Sequence, residues 1–172
     1  MSGPHIIPLD AVDPALVEQV LDRAFEPDRH KRTAYRIREG MDWLPGLSFA
    51  ALDPNEMLVG TIQCWPVALT DPDGRAHPMI MVGPVAVLPD EQGHGYGKAL
   101  MTAALAALSP QAPLPQVMIG DPEYYGRFFG FTAERTAAWR VPGPVERRRL
   151  LARGKSVPDG AGILGPRITV PA

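Results

Sequence analysis

A chain of 172 residues, 45% hydrophobic and 21% charged, is long enough to bury one sizeable core and too apolar to remain disordered. Its net charge of -2 supplies no general attraction to nucleic acid or anionic lipid. The lone cysteine, Cys64, excludes an intramolecular disulfide, and no run approaches the roughly 18 apolar residues of a membrane-spanning helix. Residues Met1 to His5 also lack the charged-then-apolar pattern of a secretory leader. Together these features predict a single domain over residues 1–172 in a reducing cytoplasm.

Asp13 followed by Pro14 reads as a helix N-cap with proline in the first turn, and Val17, Val20, Leu21 and Ala24 recur at helical spacing, which predicts a helix over 14–25. A polar break at Glu26-Pro27-Asp28 leads to a second predicted helix over 29–39, ended by Gly40, so that two helices precede the sheet. Strands over 47–52 and 58–69, joined by the turn-favouring Asp53-Pro54-Asn55-Glu56, predict an antiparallel hairpin with Cys64 as a buried strand thiol. A turn at Asp71-Pro72-Asp73-Gly74 precedes a central strand over Met79 to Leu88. Gly83-Pro84 interrupts that run; proline cannot donate to the ladder, so a bulge or local splaying is expected there.

After a loop over 89–97, Lys98 to Leu108 is apolar almost all round, with alanines at 99, 103, 104, 106 and 107, and predicts a buried helix on the sheet. Pro115 to Gly120 reads as a strand. Asp121-Pro122-Glu123 then supplies an N-cap, a first-turn proline and an early acid for a helix ending near Gly130. In the remainder, Ala137 to Val141 and Ile168 to Val170 are candidate strands, and Arg147-Arg148-Arg149 reads as a solvated face.

The chemistry concentrates in residues 82–101, a strand, a loop with glycine at 93, 95 and 97, and a helix. Glycines let backbone approach an anion closely, and unpaired amides with the helix dipole favour negative charge at a helix start. A pyrophosphate fits that pattern. A P-loop would need glycine at 92 and Ser or Thr at 99, where Gln and Ala stand. A dinucleotide fingerprint would need Gly-x-Gly-x-x-Gly after the first strand of a βαβ unit, whereas this loop lies mid-chain after a hairpin.

Gln92, Gly95 and Gly97 instead match in register the acyl-CoA loop of the GNAT superfamily, Gln/Arg-x-x-Gly-x-Gly/Ala, and Val85-Ala86-Val87-Leu88-Pro89 resembles that family's fourth strand. Residues Val117 to Phe131 resemble its fifth strand and the tyrosine helix ending in Gly-Phe. With Thr33 to Gly40, these segments resemble the YhbS-like branch of N-acetyltransferases over about residues 5–142, leaving 143–172 outside the resemblance. The resemblance implies an α/β (α+β) fold with a mixed, mostly antiparallel central sheet flanked by helices and a splayed central strand at the acyl-CoA site. It implies acetyl-CoA as co-substrate, contacted by Val85, Ala86 and Val87 and by Gln92, Gly93, His94, Gly95, Tyr96, Gly97 and Lys98, with no metal. The acceptor would be a small-molecule or protein amine, with no nucleic acid or membrane partner; a homodimer is left open.

The implied mechanism is direct attack of a neutral amine on the thioester, with amides near Val85 to Val87 polarising the carbonyl and a tyrosine protonating the thiolate. Counting from the helix start makes Tyr125 the candidate acid and Tyr124 its substitute; family members place the tyrosine four residues before the glycine of Gly-Phe, whereas Tyr125 stands five before Gly130 and position 126 is glycine. No carboxylate occurs in Met79 to Leu88, where many relatives carry a general base. Asp121 reads better as an N-cap, Asp90 and Glu91 as solvated loop acids, and His94 as a solvent-facing spacer. Arg36, Arg38 and Glu39 are left between substrate contact and ordinary helix salt bridging. Two other classes are weighed: a non-catalytic acyl-CoA binder or sensor, and a nucleotide-phosphate site at Gly93 to Lys98.

Overall fold

A computed structural model describes residues 4–25, 28–108 and 113–168. The chain runs β1 (His5–Pro8), α1 (Pro14–Ala24), α2 (Thr33–Ile37), β2 (Phe49–Leu52), β3 (Leu58–Thr70), β4 (Ala76–Val87) and α3 (Tyr96–Ala106). It continues β5 (Gln116–Ile119), α4 (Pro122–Phe129), β6 (Trp139–Arg140), β7 (Leu150–Arg153) and β8 (Gly162–Pro166). The strands form a mixed, mostly antiparallel sheet in the order β1-β2-β3-β4-β5-β7, with β8 paired to β3 and β6 to β8. Two compact units share its two long strands. Met1–His30, Trp43–Cys64 and Val82–Leu108 form one, and Lys31–Asp42, Trp65–Met81 and Ser109–Ala172 the other.

In the first unit β1 runs antiparallel to β2, and β2 to the start of β3, where Phe49 faces Ile62 and Ala50 faces Thr61. Asp53 closes the hairpin by accepting from the Asn55 and Met57 amides at 2.8 and 3.0 Å. Helix α1 starts as expected, with Asp13 accepting from the Ala15 amide at 2.9 Å and Pro14 in the first turn. Its Val17, Val20 and Leu21 join Leu9, Ala50 and Ala86 in one buried cluster. Each valine or leucine of this cluster contributes about 1.5–3 kcal/mol on burial. Helix α3 packs on β1 and β2.

In the second unit β4 pairs in parallel with β5 at Ile80↔Gln116 and Met81↔Val117, and β5 runs antiparallel to β7. Strand β8 runs antiparallel to the end of β3 and parallel to β6. Gly162 is needed there because a Cβ would stand 2.6 Å from Leu69. Trp139, Phe131, Leu150, Leu151 and Leu164 are buried.

Several elements differ from expectation. Strand β1 precedes both helices, so the sheet begins before them; its two isoleucines between polar and proline residues form too short a pattern to show periodicity. The helix expected over 29–39 is a 3₁₀ turn at Arg29–Lys31 followed by α2, with Arg32 between them in extended conformation. Arg29 is drawn to Glu18 and Asp22 of α1, at 2.5 and 3.0 Å, and the chain bends after it. Residues Pro45–Leu47 form a 3₁₀ turn, so β2 begins only at Phe49. Helix α3 starts at Tyr96 and buries Tyr96, Leu100, Met101 and Ala104, while Lys98, Thr102 and Ala106 are exposed. Its alanines reflect helix propensity more than burial on every side. Among the C-terminal strands, β6 lies within the expected 137–141, and neither β7 nor β8, the latter at Gly162–Pro166, was expected; the strand expected over 168–170 falls mostly outside the described residues. Thr169 and Val170, like Glu26 and Pro27, lie outside the described residues. Strand β4 runs through Gly83-Pro84, a cis peptide, with Gly83 at φ +118.

Candidate functional site

In the first unit, β4 gives way to a 3₁₀ turn at Pro89–Glu91, after which Gln92 is extended and Gly93 and Gly95 take left-handed conformations at φ +86 and +85. Gly95 is the N-cap of α3 and, having no side chain, leaves the first-turn amides without a side-chain acceptor. A Cβ at Gly93 or Gly95 would meet nothing within 4 Å, so backbone conformation and not crowding calls for glycine at both. Gln92, Gly93, His94 and Gly95 are all exposed. Such a helix start presents N–H donors and a positive dipole end to an anion.

Around this loop, Ala86 is buried and Val85 and Val87 are half-buried on β4. A Cβ on Gly60 would stand 3.0 Å from the Ala86 carbonyl oxygen and 3.2 Å from Leu100, so β3 approaches β4 and α3 closely there. The Tyr96 side chain packs inward at 7% exposure. Desolvation raises its phenol above the ordinary value, and Glu91 and Asp53 add to the shift. His94 is 61% exposed with Nδ1 3.4 Å from the Glu91 carboxylate, which agrees with a solvent-facing spacer. Lys98 is exposed on the first turn. Strand β4 carries no carboxylate; its one ionisable side chain, His77, bonds Asp71 at 3.0 Å.

In the second unit, Asp121 caps α4 by accepting from the Glu123 amide at 3.2 Å. Its carboxyl is raised above the usual range by the hydrogen bond it shares with Glu123 and by desolvation. Glu123 is lowered by the same bond and pairs with Arg148 at 3.0 Å. The Tyr125 ring lies against Gly120, where a Cβ would stand 2.8 Å away, so a glycine after β5 makes room for that ring. Tyr124 meets Tyr125 edge-on, with centroids 4.9 Å apart. Burial pushes the Tyr125 phenol up to about 12, with Tyr124 and Asp121 adding to it, and burial also raises Tyr124. Tyr125 therefore keeps its proton through the neutral range.

The extra residue in the tyrosine-to-glycine spacing has a local explanation. Gly130 caps α4 at φ +76, and the Phe131 amide bonds the Tyr125 carbonyl at 3.2 Å. A Cβ on Gly126 would come within 3.1 Å of the Phe131 carbonyl oxygen, so glycine at 126 lets this ending close tightly. Just after α2, Arg38 is buried and stacks over the Trp65 and Tyr35 rings at 3.6 and 4.0 Å, while Arg36 on the helix donates to the Pro142 carbonyl at 3.4 Å. Neither contact is an ordinary helix salt bridge. Sequence reasoning also passed over Thr61 and Gln63, two buried polar side chains within apolar β3. Polar residues at alternate positions in an apolar strand were the available signal.

The family described as acetyltransferase (GNAT) domain matches residues 8–132 of this chain, and the chain belongs to that family. It is a GNAT-type acetyltransferase. In structure it is similar to the GNAT family N-acetyltransferase YhbS from Escherichia coli, solved in complex with CoA, at 25% identity over 95% of this chain and 91% of that one, with a TM-score of 0.69. A GNAT family acetyltransferase from Brucella melitensis, solved in complex with acetyl-CoA, is 26% identical over 94% of this chain and 96% of that one, with a TM-score of 0.61. Comparison with curated proteins shows no match. Among the described residues, no group of three or more His, Cys, Asp or Glu could hold a metal ion, and no helix is long and apolar enough to cross a membrane.

Proposed function

We propose that this acetyltransferase, of the YhbS-like branch, moves an acetyl group from acetyl-CoA to a primary amine of a small molecule or protein by direct attack. The observation that carries the donor half is the glycine-capped start of α3, whose exposed loop offers amides and no side-chain cap. The likeness to proteins solved with CoA and acetyl-CoA supports the same donor here. In this reading residues 92–98 receive the pyrophosphate and the backbone of Val85 to Val87 receives the acyl arm. Tyr125 returns a proton to the departing thiolate; its phenol is protonated at neutral pH, and burial makes it a weaker acid than an exposed tyrosine. Asp121 is left to capping.

Calorimetric titration with acetyl-CoA tests the proposal, with CoA and ATP as separate controls. Saturable binding of acetyl-CoA and CoA without ATP binding is expected. A folded sample that binds neither CoA species rejects it, and ATP binding would favour a nucleotide-phosphate site. The lack of a carboxylate in β4 favours a second reading, a non-catalytic acyl-CoA binder or sensor. That reading predicts the same binding and no acylation of any amine.

A further inference from the structure

Strand β3 carries two buried polar side chains, Thr61 and Gln63. Thr61 is fully buried and Gln63 is 4% exposed. Neither Thr61 Oγ1 nor Gln63 Oε1 has a hydrogen-bond partner among the described residues. Residues two apart on a strand point to the same face. Ala50, which sits opposite Thr61 in the β2–β3 register, belongs to the same buried cluster as Ala86. The Leu88 amide bonds the Val59 carbonyl at 2.9 Å, which joins the end of β4 to β3 just beside this pair. The two oxygens therefore share a sheet face with Ala86, the middle residue of the segment assigned to the acyl arm.

Leaving buried acceptors unmade is costly, and valine or leucine at these positions would remove the cost while suiting a strand equally well. Resting on the acyl transfer described above, we propose that Thr61 and Gln63 recognise the acceptor by each taking one N–H of a neutral primary amine. Such an amine has two N–H bonds and one lone pair. With both hydrogens held by β3, the lone pair is free to attack the thioester carbon. Residues two apart on a strand stand about 6.6 Å apart at Cα. One nitrogen bonded to both oxygens at about 2.9 Å along two roughly tetrahedral N–H bonds holds them about 4.7 Å apart, a separation that side chains of unequal length on these two residues can reach.

The reaction balances without a further reactant. The C–N bond forms as the C–S bond breaks, the electron pair leaves with sulfur, the amine loses one proton and the thiolate gains one. The pair also sets specificity. A secondary amine brings a single N–H, leaves one oxygen unpaired and places a carbon where the other hydrogen belongs, and sites built to bond an N–H reject analogues that lack it.

Thr61→Val and Gln63→Leu test the role through melting temperature, acetyl-CoA affinity by calorimetry, and thiol release with tyramine, putrescine, lysine and a peptide with a free amino terminus. The N-methyl counterpart of any accepted amine is assayed beside it. Expected are melting temperatures equal to or above wild type, an unchanged acetyl-CoA Kd, and kcat/KM at least about tenfold lower for the primary amine. Wild type should prefer the primary amine to its N-methyl form by a similar factor, and the variants should lose that preference. Unchanged kcat/KM in both variants overturns the role, as does loss of acetyl-CoA binding in variants that stay folded. A clearly lowered melting temperature in both would mean that the oxygens are already satisfied in the folded protein, and overturns the role even if no amine is acylated. Failure of wild type to bind acetyl-CoA instead rejects the donor reading, so the two failures are distinguishable.

Discussion

Helices α3 and α4 each begin where a strand gives way to a loop, and they begin in opposite ways. Helix α4 closes its own N-terminus: Asp121 accepts the Glu123 amide, Pro122 removes a donor, and Glu123 places a carboxylate in the first turn. Helix α3 begins on Gly95 in a left-handed conformation, with no side-chain cap and no acid in its first turn. A helix start whose donors are satisfied and whose dipole is offset has little left for an anion, whereas the uncapped one retains both. The glycines of the α3 loop thus leave out a competing carboxylate and a side chain at positive φ, which is what the proposed donor site would require.

Copying the α4 cap onto α3 is the strongest way to break this comparison. Gly95→Asp puts a carboxylate where the pyrophosphate is proposed to sit and is expected to raise the acetyl-CoA Kd about 1,000-fold, or about 4 kcal/mol. Calorimetry on a folded sample measures it, and an unchanged Kd would show that the open helix start is not the anion site. Tyr125→Phe comes next, with about 100-fold slower acyl transfer in single-turnover assays and an unchanged Kd. Should Tyr124→Phe show the loss in its place, the proton donor is Tyr124.

A smaller effect concerns pH. Cys64 is raised from 9.0 to about 12 by burial, and Tyr125 from 10.0 to about 12. In both cases the folded state holds the proton more tightly than the unfolded chain. The stabilisation is therefore complete below the unfolded values and declines as pH rises through about 12. For Tyr125 the decline is about 1–3 kcal/mol. Urea melts at pH 8 and pH 11 measure it, and Tyr125→Phe should remove that residue's share. The smallest effect sharpens the contrast at α4: Asp121→Ala should lower stability by about 1 kcal/mol in urea melts and leave the acetyl-CoA Kd as it was.

Much of this architecture was legible because its signals are local. Asp13-Pro14 and Asp121-Pro122 announce α1 and α4, and Asp53 to Glu56 announces the β2–β3 turn, through bonds made within two to four residues. Strands β1, β7 and β8 gave no comparable signal. They span only four or five residues, and β7 and β8 pair with β5 and β3, far away in sequence. The bend at Arg32 escaped for a related reason, since Arg29 answers to carboxylates on another helix.

What the sequence by itself determined is the local form of the glycine loop and of the tyrosine helix, because each is a contiguous segment whose backbone conformation and capping follow from its own residues. Gly93, Gly95 and Gly130 take positive φ where the sequence places glycine. What only the tertiary structure decided is environment. It packs the Tyr125 ring against Gly120, stacks Arg38 over two aromatic rings, and leaves Thr61 Oγ1 and Gln63 Oε1 buried without a hydrogen-bond partner among the described residues. Burial and hydrogen-bond satisfaction depend on atoms brought together from distant parts of the chain, and no local pattern encodes them.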